Sequence, residues 1–528
     1  MRILTAALLV VLSLAACGGG GGGGGTQLTA AWQSGVFQPA GNFANKCALP
    51  RTGIDPYTHA AYPDRAGTLL DENNWLRSWN NDLYLWYSEV VDQNPANYST
   101  TLTYFDVLKT TALTASGSQR DKFHFTYPTP QWEALSLTGS QAGYGAQWII
   151  LSSHPPRSLV VAYTEPNTPA TAANANLMRG DAVIRVDGVD LVTAGTQADV
   201  DILNAGLFPT AANQSHTFVV QDLLGNQRTI TMISADVVST PVQNVHTIPT
   251  ASGSVGYMLF NDHLATSEAG LYDAFTTLAA AQVTDLVIDI RYNGGGYLDI
   301  ASEVAYMVAG PARTANKTFE LTQFNGKHPT TDPVTLQPIT PTPFYSLSLG
   351  FASGLGANQP LPTLSLPRVF VLTGPDTCSA SEAVINGLRG AGVDVIQIGS
   401  TTCGKPYGFY PEDNCGTTYF SIQFRGVNDM NFGDYTDGFS PQNTVASSTP
   451  MGVSLPGCSI ADDFTHQLGD PAEARLAEAL SYRQNGTGIC ASPASGIAKA
   501  LRVQNRAAAT DGRLPASALR ALMIPRRP

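Results

Sequence analysis

Three runs of the chain, DLVIDI (285–290), RVFVLTG (368–374) and DVIQIGS (394–400), are apolar without alternation. A strand with one wet face alternates, so runs of this kind belong to strands covered on both sides, as in a parallel sheet between helical layers. Helical spacing follows the first two. YLDIASEVAYMVAG repeats through Ile300, Val304 and Met307, and SASEAVINGLRG reads as a helix closed by Gly390. Strand, turn and helix in alternation predict an α/β core over 237–490, interrupted by a Pro-, Thr- and Ser-rich insertion or lid at 326–366.

At 528 residues the chain exceeds one core, and its composition changes on either side of this one. DENNWLRSWNNDLYLWYSEV (71–90) sets Trp75, Trp79, Leu83, Trp86, Tyr87 and Val90 at helical spacing, so 46–138 is expected to be a helical region with these aromatics in its core. Residues 139–236 alternate short β-branched runs with Gly, Pro, Asn and Asp, which predicts a β-rich domain. From 491 to 528, seven Lys and Arg face the single acid Asp511; this basic tail is assigned no function.

The first residues, MRILTAALLVVLSLAAC, hold an apolar run too short to span a bilayer. Its end, Leu14-Ala15-Ala16-Cys17, resembles the bacterial lipobox, which implies a signal peptide over 1–17 and lipidation of Cys17. Cleavage after Ala16 by an ordinary signal peptidase is the alternative. Gly18 to Gly25 form an unbroken run, so 18–45 is expected to be a flexible tether. Gly rather than Asp after the lipidated Cys implies an outer-membrane address.

A net charge of −12 leaves no basic surplus for phosphate, so a nucleic-acid partner is not expected. Without Cys17, six cysteines remain, an even set that in an exported chain reads as disulfides with fifteen possible pairings. Cys403 and Cys415, which flank a short loop, are the first candidates. No CxxC or HExxH pattern is present, and neither a metal nor a cofactor is expected.

The stretch DTCSASEAVINGL (376–388) poses the chemical question. Ser379 and Glu382 fit a capping box, S-x-x-E, which would make Ser379 a helix cap and nothing more. A serine becomes a nucleophile only with a base for its proton and donors for the oxyanion. A strand-to-helix turn supplies the Ala380 N–H at a helix N-terminus, and the glycine turn Asn293-Gly294-Gly295-Gly296 leaves the end of a neighbouring strand. Lys405, one of only seven lysines, stands in TTCGKPYG just after the third strand. Burial would lower its pKa far enough to act as base.

DIRYNGGG, CSASE and CGKP, in that order, resemble the C-terminal processing peptidases, also called tail-specific proteases. The likeness extends through GFSP (438–441) and DFTHQLGDPAEARLAEALSY (463–482). It implies a protease core of crotonase/ClpP-like α/β fold within a multidomain chain. Ser379 would be the nucleophile, Lys405 the base, and the N–H groups of Ala380 and Gly295 the oxyanion donors, with Arg291 and Asn293 bracing the turn and Glu382 in support. Family members with a third group carry Gln four residues after the Lys; here Phe409 stands there, so Gln423 or a water would orient Lys405. If the dyad forms, Cys378 and Cys403 approach one another, and a disulfide between them competes with the 403–415 pairing. Cys378 as a rival nucleophile is set aside by the motif's register, and His263 is read as a surface histidine rather than a base.

Residues 139–236 resemble a PDZ domain, with Gly143, Tyr144, Gly145 and Ala146 as the entry that captures a peptide's carboxylate. The resemblances together imply a lipid-anchored serine endopeptidase of the cell envelope acting on proteins or peptides. A non-catalytic peptide-binding lipoprotein on the same scaffold is the alternative. Oligomeric state is not legible.

Overall fold

The computed structural model describes residues 32–351, 354–444, 452–485, 490 and the strand 522–524. The leader with Cys17, residues 18–31 of the tether and all but that strand of the basic tail lie outside them.

Helix α1 (Leu69–Leu83) opens on a capping box, in which Thr68 Oγ1 accepts the Asp71 N–H and Asp71 Oδ2 accepts the Thr68 N–H. Trp75, Trp79 and Leu83 are buried, as their spacing predicts. The helix does not continue to Val90. Tyr84 turns extended, its hydroxyl donates to Asp121 at 2.6 Å, and the Leu85 N–H donates to Ile422 O at 2.8 Å. Contacts with the core thus override the helical pattern, and Trp86 packs edge-on against Tyr407 instead. Short helices α2 (Thr101–Asp106) and α3 (Thr129–Thr138) follow, with irregular chain and the strand Phe125–Pro128 between them.

The β-rich unit enters on β1 (Ser140–Gly143) and continues through β2 (Ala146–Ser152), β3 (Ser158–Thr164), β4 (Ala182–Val186), α4 (Gln197–Leu207), β5 (Ser215–Gln221), β6 (Gln227–Ile233) and β7 (Ala235–Val238). Its sheet runs β6-β5-β4-β3-β2, antiparallel at each step. β1 pairs with β7, so the entry and exit strands meet.

The core is built from β8 (Val242–Thr250), β9 (Gly253–Phe260), α5 (Ser267–Ala280), β10 (Asp285–Asp289), β11 (Gly295–Tyr297), α6 (Leu298–Ala309), β12 (Arg368–Thr373), α7 (Ala380–Gly390), β13 (Asp394–Gly399), β14 (Gly457–Ser459) and α8 (Ala474–Asn485). The sheet order is β8-β9-β10-β12-β13-β14, antiparallel at the first pair and parallel thereafter. Both faces are covered, which is why the sequence shows runs rather than alternation. Met258, Ile288, Val371 and Val395 pack with α5, α6 and α7. Tyr257, Val287, Phe370 and Ile396 pack with α8 and with Ile149 and Val160 of the β-rich unit. Each fully buried aliphatic side chain contributes roughly 1.5–3 kcal/mol.

The insertion 326–366 is packed down on the core. Phe344, Leu361 and Leu366 join the buried cluster of α5 to α7. The Glu268 carboxylate accepts the N–H groups of Leu349, Gly350 and Phe351 at 2.6, 2.9 and 2.7 Å. Beside it, burial and the Glu268 charge push Glu303 up to about 9.

Three disulfides lie among the described residues: Cys47–Cys415, Cys378–Cys403 and Cys458–Cys490. The expected 403–415 pairing is overturned. The hairpin of 412–414 and 417–420 pairs with 125–128, which carries Cys415 toward Cys47, while Cys403 turns to Cys378. Strand β15 (Leu522–Ile524) lies parallel along β11.

Candidate active site

Three turns leave the C-terminal ends of the adjacent parallel strands β10, β12 and β13, where open α/β sheets gather their chemistry. They interlock through the backbone. The Thr377 hydroxyl donates to Ile290 O at 2.8 Å, and Asn293 O accepts from the Cys378 N–H at 3.1 Å and the Ser381 hydroxyl at 3.0 Å. The Cys403 N–H donates to Thr377 O at 3.0 Å. The glycine turn, the serine turn and the lysine loop are therefore one assembly.

Ser379 stands at the head of α7 with φ 58° and ψ −117°. This is a left-handed conformation that a non-glycine residue holds only under constraint, and such strain gathers at functional sites. Its hydroxyl is buried and has no hydrogen-bond partner among the described residues. The Ala380 N–H beside it sits in the first turn, where a helix leaves its donors without intrahelical acceptors.

Glu382 ties the serine to the lysine. Its Oε2 accepts the Ser379 N–H at 3.0 Å and the Lys405 N–H at 2.8 Å, so both backbones converge on one oxygen. Its Oε1 accepts the Gly404 N–H at 2.9 Å and the Thr402 hydroxyl at 2.5 Å. Burial raises the Glu382 pKa, and these donors oppose the rise. Gly404 is at φ +81°, and a Cβ there would lie 2.3 Å from Thr436 O, so the residue before the lysine is restricted to glycine.

Lys405 is fully buried. Its Nζ lies 4.1 Å from the centroid of the Phe409 ring and 5.1 Å from that of Phe123. Burial holds the amine well below its ordinary value, and the charges of Asp121 and Glu382 pull only partly the other way. Phe409, where a polar orienter was expected, thus forms one wall of the lysine's pocket. Gln423 is engaged by Tyr410: its amide accepts the Tyr410 N–H and donates to Tyr410 O, each at 3.1 Å.

The glycine turn is braced by Asn293 and His263. Asn293 Nδ2 donates to Phe260 O at 3.0 Å, while its Oδ1 accepts the Gly295 N–H at 3.0 Å and lies 3.0 Å from His263 Nδ1. Gly295 O accepts the His263 N–H, and the Tyr297 N–H donates to His263 O. The Gly295 N–H is thus taken up within the turn by Asn293, with His263 along one edge of this short strand and β15 along the other. Gly295 as an oxyanion donor is corrected on this ground. His263 is also corrected: it is wholly buried, not at the surface, and burial pushes it down to about 3 against the pull of Asn293 and Gly295. Sequence reasoning missed it as a brace; its place right after a buried strand was the available signal.

Arg291 lies beneath the turn in a buried ion cluster. It donates to Asp289 at 2.9 Å, to Asp462 at 2.7 Å and to both oxygens of Glu473 at 2.7 and 2.9 Å. Burial would push Asp462 up, and Arg475, Arg291 and Arg179 outweigh it, so its carboxyl stays far below the usual range. Arg179 comes from the β-rich unit and shares Asp462 Oδ1 with Arg291 at 2.7 Å, while also donating to the Tyr292 hydroxyl at 2.8 Å.

A cleft of about 1260 Å³ runs from Gly295 and Asp376 to Gly143, Tyr144, Gly145 and Ala146, with Leu203 and Leu207 of α4 in its wall. Gly145 adopts φ +78° in the turn between β1 and β2, where a Cβ would meet the Thr168 side chain at 2.3 Å. Tyr144 is buried and donates its hydroxyl to Gly206 O at 2.9 Å, so it shapes the turn from inside.

The family model of peptidase family S41 matches residues 254–408, the segment that carries all three turns. This segment is similar to peptidase family S41. Among solved structures, the putative S41 protease from Bacteroides fragilis NCTC 9343 superposes with a TM-score of 0.57 at 21% identity, over 81% of this chain and 99% of that one. The photosystem II D1 C-terminal processing protease gives 0.41 at 20% identity over 74% and 94%, and mature CPAF with lactacystin gives 0.36 at 12% identity over 71% and 92%. No curated protein matches the chain. The likeness to the Bacteroides fragilis structure accounts for the mixed α/β multidomain architecture. Ser379 and the glycine turn that faces it lie inside the S41 match, and Lys405 falls near its end.

Proposed function

We propose that the chain is a serine endopeptidase of the bacterial cell envelope that hydrolyses peptide bonds with a Ser379–Lys405 dyad. The observation that carries the reading is the convergence of the Ser379 and Lys405 amides on one Glu382 oxygen, with the lysine fully buried against two aromatic rings. The Ser379 hydroxyl attacks the scissile carbonyl carbon and passes its proton to neutral Lys405. The oxyanion is held by the N–H groups of Ala380 and Gly296. Lys405 returns the proton to the leaving amine as the C–N bond breaks. Water, deprotonated by the same lysine, then hydrolyses the ester and releases Ser379.

The unit 139–236 acts as a PDZ-like domain that takes a substrate's C-terminal end at Gly143–Ala146. The common cleft from that turn to the glycine turn supports this role, and the parallel seating of 522–524 on β11 supports an extended peptide at the same edge. Lipidation at Cys17 places the enzyme on the outer membrane, on the strength of the Leu-Ala-Ala-Cys motif.

Digestion of an unfolded protein by the chain and by Ser379→Ala and Lys405→Ala tests the dyad. Loss of on the order of 10³-fold or more in kcat is expected for each variant. Equal cleavage by all three would remove the dyad. Failure of the unaltered chain to cleave, with tight capture of C-terminal peptides, would instead favour a non-catalytic peptide-binding scaffold.

A further inference from the structure

The residue before the nucleophile and the residue two before the base are both cysteines, and they are joined to each other. Their Cα atoms are 5.1 Å apart, within the ordinary span of a disulfide. The bond links the serine turn after β12 to the lysine loop after β13. Cys403 Sγ lies 3.4 Å from Glu382 Oε2, the oxygen that accepts both the Ser379 and Lys405 amides. The other two disulfides join segments remote from this oxygen: Cys47 to the 412–420 hairpin, and Cys458 of β14 to Cys490.

We propose that Cys378–Cys403 is a positioning bond for the dyad, and that proteolysis is conditional on its oxidised state. The inference rests on the Ser379–Lys405 reading. The lysine loop is otherwise held to the serine turn by hydrogen bonds, namely those of Glu382 with Thr402, Gly404 and Lys405 and that of the Cys403 N–H with Thr377 O. These bonds preserve the fold when the disulfide opens, but they do not fix the separation of two side chains that must exchange a proton. A small misplacement of reacting groups costs catalysis far more than binding. Opening also sets a thiol beside the Glu382 carboxylate and the lysine, which admits polar groups or water to a pocket whose dryness keeps Lys405 neutral. Reduction by a dithiol is a balanced exchange: the S–S bond takes two electrons and two protons, giving two thiols, and the dithiol closes to its cyclic disulfide. A chain still in a reducing compartment is then held inactive until it reaches an oxidising one.

The test uses the full chain in detergent, with Cys378→Ala/Cys403→Ala compared against Cys458→Ala/Cys490→Ala. The first variant is expected to lose roughly 10–100-fold in kcat with KM within about twofold, and the rising limb of its kcat–pH profile is expected to move up by about one pH unit. The second is expected to lower Tm while leaving kcat and the pH limb in place. A second measurement needs no substitution: dithiothreitol should lower kcat of the unaltered chain by the same roughly 10–100-fold while circular dichroism is retained, and reoxidation should restore it. The Cys378→Ala/Cys403→Ala variant should not respond to the dithiol. Wild-type kcat and pH limb in that variant, or full activity of the reduced chain, would overturn the positioning role. If Ser379→Ala and Lys405→Ala also cleave normally, it is the dyad reading that has failed; if those are dead and the cysteine variant is normal, only the present inference falls.

Discussion

Burying the Lys405 amine opposes its charged form, and the protein holds a destabilising group at the point where the chemistry needs it. The unfolded chain binds a proton on this lysine up to its ordinary pKa, whereas the folded chain releases it well below. In the window between the two values the unfolded state holds more protons, so folding stability rises with pH there and falls as pH drops through it. Activity has the same sign, since only the neutral amine accepts the serine's proton: kcat should rise with pH through the lowered pKa and not follow the usual lysine range. Lys405→Met, which keeps length and removes the charge, should raise Tm by roughly 2–4 °C at neutral pH while abolishing cleavage. Thermal denaturation beside a digestion assay measures both. A lower Tm for Lys405→Met would mean that the amine is held charged and paired.

Among the elements, the glycine turn after β10 shows how much was legible. DIRYNGGG announced a turn that brings backbone N–H groups to the serine, and the structure brings that turn within hydrogen-bond reach of Cys378 and Ser381. Which amide the turn takes up was not legible, because the turn is seated against His263, a residue about thirty positions upstream in sequence. Asn293 fixes the turn, accepting from Gly295 and anchoring to Phe260 O. Asn293→Ala should lower kcat by roughly 10²–10³-fold with little change in KM, the signature of a lost transition-state donor. Steady-state kinetics on a peptide substrate would show it, and a change confined to KM would contradict the assignment. The end of α1 was illegible for a related reason: the aromatic stripe continues past Leu83, but Leu85 bonds to Ile422 and ends the helix. The apolar runs of β10, β12 and β13 were readable because burial on both faces leaves a mark that needs no partner to be seen.

Across the molecule, one carboxylate joins the β-rich unit to the α/β core. Asp462 Oδ1 accepts both Arg179, from the loop before β4, and Arg291, beneath the glycine turn. Arg179 has no sequence signature as a coupler, since it stands in LMRGD, a stretch already explained by its own domain. The disulfides were hidden in the same way: spacing favoured 403–415, and only the tertiary course of the 412–420 hairpin shows that Cys415 belongs to Cys47. Arg179→Ala should destabilise the chain by about 3–5 kcal/mol, because it removes a buried partner of Asp462 and of Tyr292. Denaturant unfolding followed by tryptophan fluorescence checks this, and an unchanged midpoint would show that the two units do not depend on this contact.

The most direct test of the Ser379–Lys405 account is to quench the enzyme in acid during turnover of a peptide and to map acyl groups by mass spectrometry. The account predicts an acyl adduct on Ser379 in the unaltered chain and none in Lys405→Ala. Turnover with Ser379 unmodified and the acyl group on another residue, or an equal adduct without the lysine, would contradict it.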